Sequence, residues 1–161
     1  MSIQHNPNKD KIIFPSSLLN RNLWSGFLCG LGLVAFLDEV LFHQLLQWHH
    51  FYDKSTTAIG LASDGFFHAF SWFCSIGGMF MFADLRRFKV WLPKRWYGGI
   101  LLGGGLFQLY DGIIQHKLMR LHQIRYVDQV IIYDLVWNVI AVAMIVCGAF
   151  LIKYSKRDSL R

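Results

Sequence analysis

The chain has 161 residues, 54% of them apolar and only 16% charged, whereas an ordinary soluble domain carries about a quarter charged residues. Sixteen Lys and Arg against ten Asp and Glu leave a net charge of +6, and aromatics reach 16%. Together with only three Pro and three Cys, these figures exclude a disordered tail, a nucleic-acid-binding arm and a secreted disulfide scaffold.

A polar segment, residues 1–22, comes first and is too polar for the core of a signal peptide. Four apolar stretches follow, near Leu23–Trp48, Ala58–Ala83, Tyr97–Met119 and Tyr126–Ile152. A helix crosses a bilayer core with roughly 20 apolar residues, so each is long enough to span. Pro7, Pro15 and Pro93 lie outside all four, and Trp24, Trp48, Trp91 and Trp96 fall at their ends, where indole rings favour the interface. Lipid offers no partner to an open sheet edge, so the expected fold is an all-α integral membrane four-helix bundle.

Twelve of the sixteen basic residues sit in the N-terminal segment, the middle connection and the tail. These lie on one side of a four-span arrangement, and the positive-inside rule places both termini in the cytoplasm. Cys29, Cys74 and Cys147 stand alone on different spans and read as apolar packing.

The polar residues inside the spans recur. Gly26, Gly30, Gly32, Asp38, His43 and His49 are matched by Gly99, Gly103, Gly105, Asp111, His116 and His122, each 73 positions later. A shorter echo relates Asp64 and His68 to Asp134 and Asn138 at an offset of 70. The whole chain, 1–161, therefore reads as a single membrane domain built from a parallel two-helix repeat, about 23–83 and about 96–152. The glycines form small-xxx-small pairs that let helices approach closely. They lack the preceding strand and following Lys-Ser/Thr of a phosphate loop.

A charge near the bilayer centre costs at least about 2.5 kcal/mol, so intramembrane acids and histidines turn toward a bundle interior or an ion. In the first and third spans they fall late, and in the second and fourth early, so all four sets meet at one depth toward the extracytoplasmic face. The expected metal ligands are His43, His68, His116, Asp64 and Asp134. Asp38, Asp111 and Asn138 are expected to orient them from behind, as carboxylates do for metal-bound imidazoles, with His49 and His122 at the mouth. Asp38 and His43 are about 140° apart on an α-helix, and they share an ion only if a π-bulge realigns them. Asp38 and His49 would be separated by about 16 Å along a continuous helix.

Imidazole and carboxylate donors suit zinc, iron or copper(II). Haem, with His43 and His116 as axial ligands, is disfavoured by the nearby acids. A metal-free structural or interaction subunit held by an Asp–His network and a metal-dependent membrane enzyme acting at the outer leaflet both stay open. No nucleophile with a recognisable triad stands out. The inner halves of the spans are too apolar for a proton pathway through the membrane.

The stretches DEVLFHQLLQWHHF, DGFFHAFSWF and LYDGIIQHKLMRLHQIR resemble a family of small bacterial four-span membrane proteins, the domain of unknown function numbered twenty-two forty-three. The resemblance implies a bacterial cytoplasmic (inner) membrane protein. It also implies a link with the copper-assembly proteins of respiratory oxidases, hence a role in oxidase biogenesis or metal handling, with the lipid bilayer and oxidase-assembly proteins as partners and no nucleic acid. Glu39 departs from the small residue expected after the aspartate, as at Gly112, which speaks against an essential base there.

Overall fold

A computed structural model describes residues 4–6, 11–13 and 15–158. A short antiparallel ribbon, β1 (Gln4–Asn6) and β2 (Lys11–Ile13), precedes four helices. These are α1 (Ser16–Asp38), α2 (Thr57–Arg87), α3 (Pro93–Tyr110) and α4 (Val130–Asp158). The helix α1 continues without a break into a π-helical segment, Glu39–Leu45, and α3 into another, Asp111–Leu118.

The chain punctuates itself where local chemistry dictates. Helix α1 opens directly after Pro15 and α3 opens on Pro93, positions where a missing N–H costs no helical hydrogen bond. Thr56 caps α2 through its hydroxyl, which accepts from the Ile59 N–H. The first span thus begins at Ser16 rather than Leu23 and ends at Leu45 rather than Trp48, while α4 begins at Val130, past Tyr126.

Among the described residues, three helices are long and apolar enough to cross a membrane: Ser16–Leu45, Thr57–Arg87 and Val130–Ser155. The third helix of the chain falls short of that measure, because Lys94, Arg95, its run of glycines and the polar residues after Tyr110 lower its hydropathy. It packs between α1 and α4, and Arg95, Gln108, Asp111, Gln115 and His116 are buried. Outward-facing residues of α2 and α4 are apolar and bare, including Phe66, Phe73, Phe80 and Ile131, as a lipid-facing surface requires.

The helices stand in the order α2–α1–α3–α4, with α1 and α3 as the central pair and no contact between α2 and α4 among the described residues. Glycine sets the central contact. A Cβ on Gly26 or Gly30 would run into the backbone of Trp96 or Ile100, and one on Gly99 or Gly103 into that of Leu23 or Phe27. The partners correspond at the 73-residue offset, so the contact is reciprocal about an axis between α1 and α3. The flanks repeat the theme: Gly32 abuts Ser71 and Ser75 of α2, while Gly105 abuts Ala141 and Ile145 of α4.

At the end near Ser16, Asn22 clamps the α2–α3 connection. Its amide donates to the Val90 carbonyl (3.1 Å) and its oxygen accepts from the Leu92 N–H (2.7 Å). Arg21 pairs with Asp84, and the Arg95 guanidinium donates to the Leu19 carbonyl at 2.7 Å. The basic residues of the middle connection and the start of α1 therefore share one end of the bundle. The loops 46–56 and 119–129 share the other.

Replacing Gly30 or Gly103 by Val should separate α1 from α3 and destabilise the fold by about 1–3 kcal/mol, the range for overpacking. Gly65, which has open space around it, provides the control: Gly65→Ala should stay within about 0.5 kcal/mol. Thermal unfolding of purified variants in detergent distinguishes them.

Candidate metal centre

Two deviations from the α-helix build the site. In the π-helical segments each turn closes one residue later, so residues five apart come to lie nearly above one another. Asp38 and His43 are thereby realigned, as are Asp111 and His116, and His116 Nε2 lies 3.0 Å from Asp111 Oδ2. The realignment that the Asp-x4-His spacing requires is present in both halves.

Each segment then ends in a chain reversal. Leu46 N–H donates to Leu41 O and Trp48 N–H to Phe42 O; Met119 N–H donates to Ile114 O and Leu121 N–H to Gln115 O. Gln47 (φ 49°) and Arg120 (φ 51°) occupy the left-handed region at equivalent places, an uncommon conformation for residues with a Cβ. The reversals carry His49 and His122 back into the bundle. They are 5% and 2% exposed, so their rings lie inside the bundle. The expected 16 Å separation of His49 from Asp38 presupposed a continuous helix, which stops at Leu45.

Four imidazoles thus meet. Ring centroids of His43 and His49 are 4.5 Å apart and those of His116 and His122 4.7 Å apart. The cross pairs His43–His122 and His49–His116 lie at 6.0 and 6.1 Å. His49 and His122 stack face to face at 4.6 Å with 6° between their planes. The two halves hold each other's rings: His49 Nδ1 pairs with the Ile124 carbonyl (3.0 Å) and His122 Nδ1 with the Phe51 carbonyl (2.9 Å). A carbonyl only accepts, so both rings carry their proton on Nδ1 and turn a bare Nε2 inward. Burial, then the neighbouring imidazoles, push the His49 pKa from 6.5 down to about 2, so the ring is neutral at physiological pH. Neutral imidazole is the form that ligates a metal.

His43 is oriented differently. Its Nδ1 lies 3.1 Å from Asp64 Oδ1 and 3.0 Å from Glu39 Oε2. Asp64 also meets His50 Nδ1 (2.7 Å) and accepts from the Phe51 N–H (2.7 Å), so this carboxylate ties α2 to the first π-helical segment and its loop. The His43 Nε2 is buried without a hydrogen-bond partner, 4.0 Å from Asp38 Oδ2. The Nε2 of His49 is likewise buried and unpartnered, whereas those of His116 and His122, equally buried, pair only with the Asp111 carboxylate. Asp111 stands beside them, its Oδ1 3.5 Å from His122 Nε2. Ligand atoms of His49, His116 and His122 all lie within 4.8 Å of one another, as do those of Glu39, His43 and Asp64, and either group can hold a metal ion. The second is already knit by hydrogen bonds, whereas in the first His49 turns a bare Nε2 inward and Asp111 pairs with His116.

Of the expected ligands, His43 and His116 face this centre and Asp64 stands behind His43. His68 is elsewhere. One turn along α2 from Asp64, its Nε2 accepts from Trp72 Nε1 (3.0 Å) and its ring rests on Phe36. Asp134 pairs with Lys117 and leaves Oδ1 buried and unpartnered, and the Asn138 amide donates to the Asp134 carbonyl. Asp38 and Asp111, expected behind the ligands, lie beside the imidazoles. The backbone acceptors Phe51 and Ile124 carry no signal in residue type; only their 73-residue separation pointed to them. A cavity of about 520 Å³, lined by His43, His49, His50, Asp53 and Tyr126 among others, opens this end of the bundle.

Residues 25–155 match the family model described as predicted membrane protein DUF2243, and the chain belongs to that family. Neither a curated protein nor a solved structure matches it.

Asp64→Ala removes three hydrogen-bonding contacts from a buried carboxylate and should cost about 3–5 kcal/mol, as breaking a buried pair does. His68→Ala should cost about 1 kcal/mol, the loss of one ordinary hydrogen bond. Calorimetric or thermal unfolding in detergent ranks the two. His49 adds a pH dependence. Its folded pKa is depressed, so below about pH 6.5 the unfolded chain binds a proton that the folded protein refuses. Stability relative to His49→Gln should therefore fall with acidification, by at most about 1.4 kcal/mol per pH unit between pH 6.5 and 2. Parallel unfolding measurements at pH 7 and 5 read the difference.

Proposed function

We propose that this family member is a transition-metal-binding protein of the bacterial inner membrane. Its centre consists of His43, His49, His116 and His122 with Asp38 and Asp111. The observation that carries this reading is the group of buried imidazoles His49, His116 and His122, whose ligand atoms lie within 4.8 Å of one another beside Asp111, with His43 packed on His49 and the His49 and His43 Nε2 atoms left without hydrogen-bond partners. Leaving one buried polar atom unsatisfied costs about 1–3 kcal/mol. Two such atoms among clustered imidazoles and two carboxylates fit an ion better than they fit a hydrogen-bond network. Asp64 acts from behind, fixing His43 with Nδ1 outward to the carboxylates and Nε2 inward.

Nitrogen and oxygen donors without sulfur favour zinc, iron or copper(II). Imidazoles packed against one another at 4.5–4.7 Å leave no slot for a macrocycle, so a bare ion fits better than haem. Six donors related in two sets of three can serve one ion or two neighbouring ions, as in duplicated carboxylate–histidine bundles. The positive-inside rule puts the termini in the cytoplasm and the centre toward the extracytoplasmic side. Metal handling on that side, with respiratory-oxidase assembly as its setting, accords with the family resemblance. The cavity beside His43 and His49 favours a second reading, a metal-dependent enzyme working at the outer leaflet.

Purified protein should bind zinc, copper(II) or iron at one or two equivalents by elemental analysis. His116→Ala and His122→Ala should lower affinity by about 10–100-fold or more, since even indirect partners of a metal weaken it by that much. His68→Ala should bind normally. Folded protein with no affinity for these metals, or equal uptake by the three variants, rejects the centre. A reporter fused after Arg161 should be cytoplasmic. Turnover of a lipid-side substrate that requires the metal would select the enzyme over the carrier.

A further inference from the structure

The two flanks of the bundle differ in one respect that the metal centre does not use. Between α1, α2 and α3 lies a cleft of about 490 Å³, within the roughly 300–1,000 Å³ of small-molecule sites. Its walls are almost wholly apolar and aromatic, with Phe51, Phe67 and Phe107 at the inner side and Phe66, Phe70 and Tyr110 toward the lipid. Phe51 stacks on Phe67 at 4.9 Å, and Phe67 on Phe107 at 5.8 Å with 18° between planes, forming a continuous aromatic wall.

Two lining side chains carry polar atoms, the exposed Tyr110 on the lipid side and the buried Gln115. Gln115 is 2% exposed, and its Oε1 is buried without a hydrogen-bond partner. Repeat correspondence shows that this acceptor is not a requirement of the fold, because Gln115 is matched by Phe42. On that opposite flank Phe42 packs on Trp137 at 5.6 Å and on Trp48 at 5.1 Å. Val34 and Met144 crowd against Gly104, the counterpart of Leu31 at the cleft floor. One flank is filled by its own side chains. The other keeps a cleft with an orphaned acceptor.

An acceptor that lacks a donor, set in an aromatic slot open to lipid, fits a flat, membrane-dissolved molecule bearing a hydroxyl. We propose that this cleft binds a quinol, its ring against Phe51, Phe67 and Phe107 and one hydroxyl donating to Gln115 Oε1. A plain acyl chain would leave the acceptor unpaired and gain nothing from the ring wall. The bound ring would stand one side chain away from the imidazoles, since Phe67 touches His43 at 5.6 Å and Phe51 touches His122 at 6.2 Å. The assignment does not depend on a metal in the centre.

The test uses full-length protein in lipid nanodiscs, prepared both as purified and metal-stripped. Decyl-benzoquinol is titrated anaerobically, with protein-free nanodiscs subtracted. Saturable binding near one equivalent is expected in both preparations. Gln115→Leu should weaken it by about tenfold, the effect of losing a hydrogen bond to a buried group. The oxidised quinone, which has no hydroxyl to donate, should bind correspondingly less well. Leu106→Trp, which fills the cleft from its lipid side, should abolish binding while leaving the melting temperature near that of the wild type, and this variant decides the matter if Gln115→Leu does not fold. Uptake no greater than in empty nanodiscs, equal binding by both variants, or displacement by equimolar dodecanol overturns the proposal.

Discussion

The parallel contact between α1 and α3 is the constraint on which the rest depends. Helices approach this closely only where side chains vanish, and Gly26, Gly30, Gly99 and Gly103 remove them on both surfaces. Because each helix offers the other the same surface, the contact has an axis, and the segments that follow the two helices are related by rotation about it. The two π-helical segments, the two left-handed residues and the two returning loops stand opposite each other for this reason. A looser pair of helices would leave four imidazoles on two separate elements instead of one centre.

Local helical strain becomes site geometry at the end of that pair. A π-helical turn gives up the α-helix's tighter hydrogen bonding, and such turns gather at functional sites. Here the change brings an aspartate and a histidine five residues apart onto one line. The loops then contribute an imidazole each and fasten it through a carbonyl of the other half, so neither half-site is complete alone. The halves are not chemically equal around this shared centre. Glu39 faces Gly112, Phe42 faces Gln115 and His68 faces Asn138 in the repeat, which leaves His43 with two carboxylates at Nδ1 and His116 Nδ1 with no partner.

The surroundings sharpen the energetics. Apolar side chains of α2 and α4 meet lipid, and the interior between the helices is narrow, with only small hydrophobic clusters around Leu85 and Phe67. Packing of that kind positions helices without tolerating stray polar groups. Asn22 and Asp64 each answer specific backbone or side-chain partners, whereas the inward Nε2 of His49 and the Gln115 oxygen do not.

The sequence by itself determined the membrane class, the helical fold, the order of the elements, the repeat of glycines, aspartates and histidines, and the end of the bundle at which the polar residues gather. Hydropathy, charge asymmetry and periodicity are properties of short windows, so they are readable without coordinates. Helix ends were less legible: Pro15 started α1 earlier than its apolar run suggested, and α3, buried between two neighbours, needed less apolar surface than a lipid-exposed span. The identity of the inward-facing imidazoles belonged to the tertiary structure. Regular helical geometry kept Asp64 and His68 on one face and sent His49 and His122 toward the mouth. Only the i→i+5 turns, the reversals at Gln47 and Arg120 and the carbonyls of the opposite half brought the latter pair inside, while the ring of His68 turned onto Phe36 and Trp72. Residue spacing encodes direction only while the backbone stays regular, and the site forms where it does not.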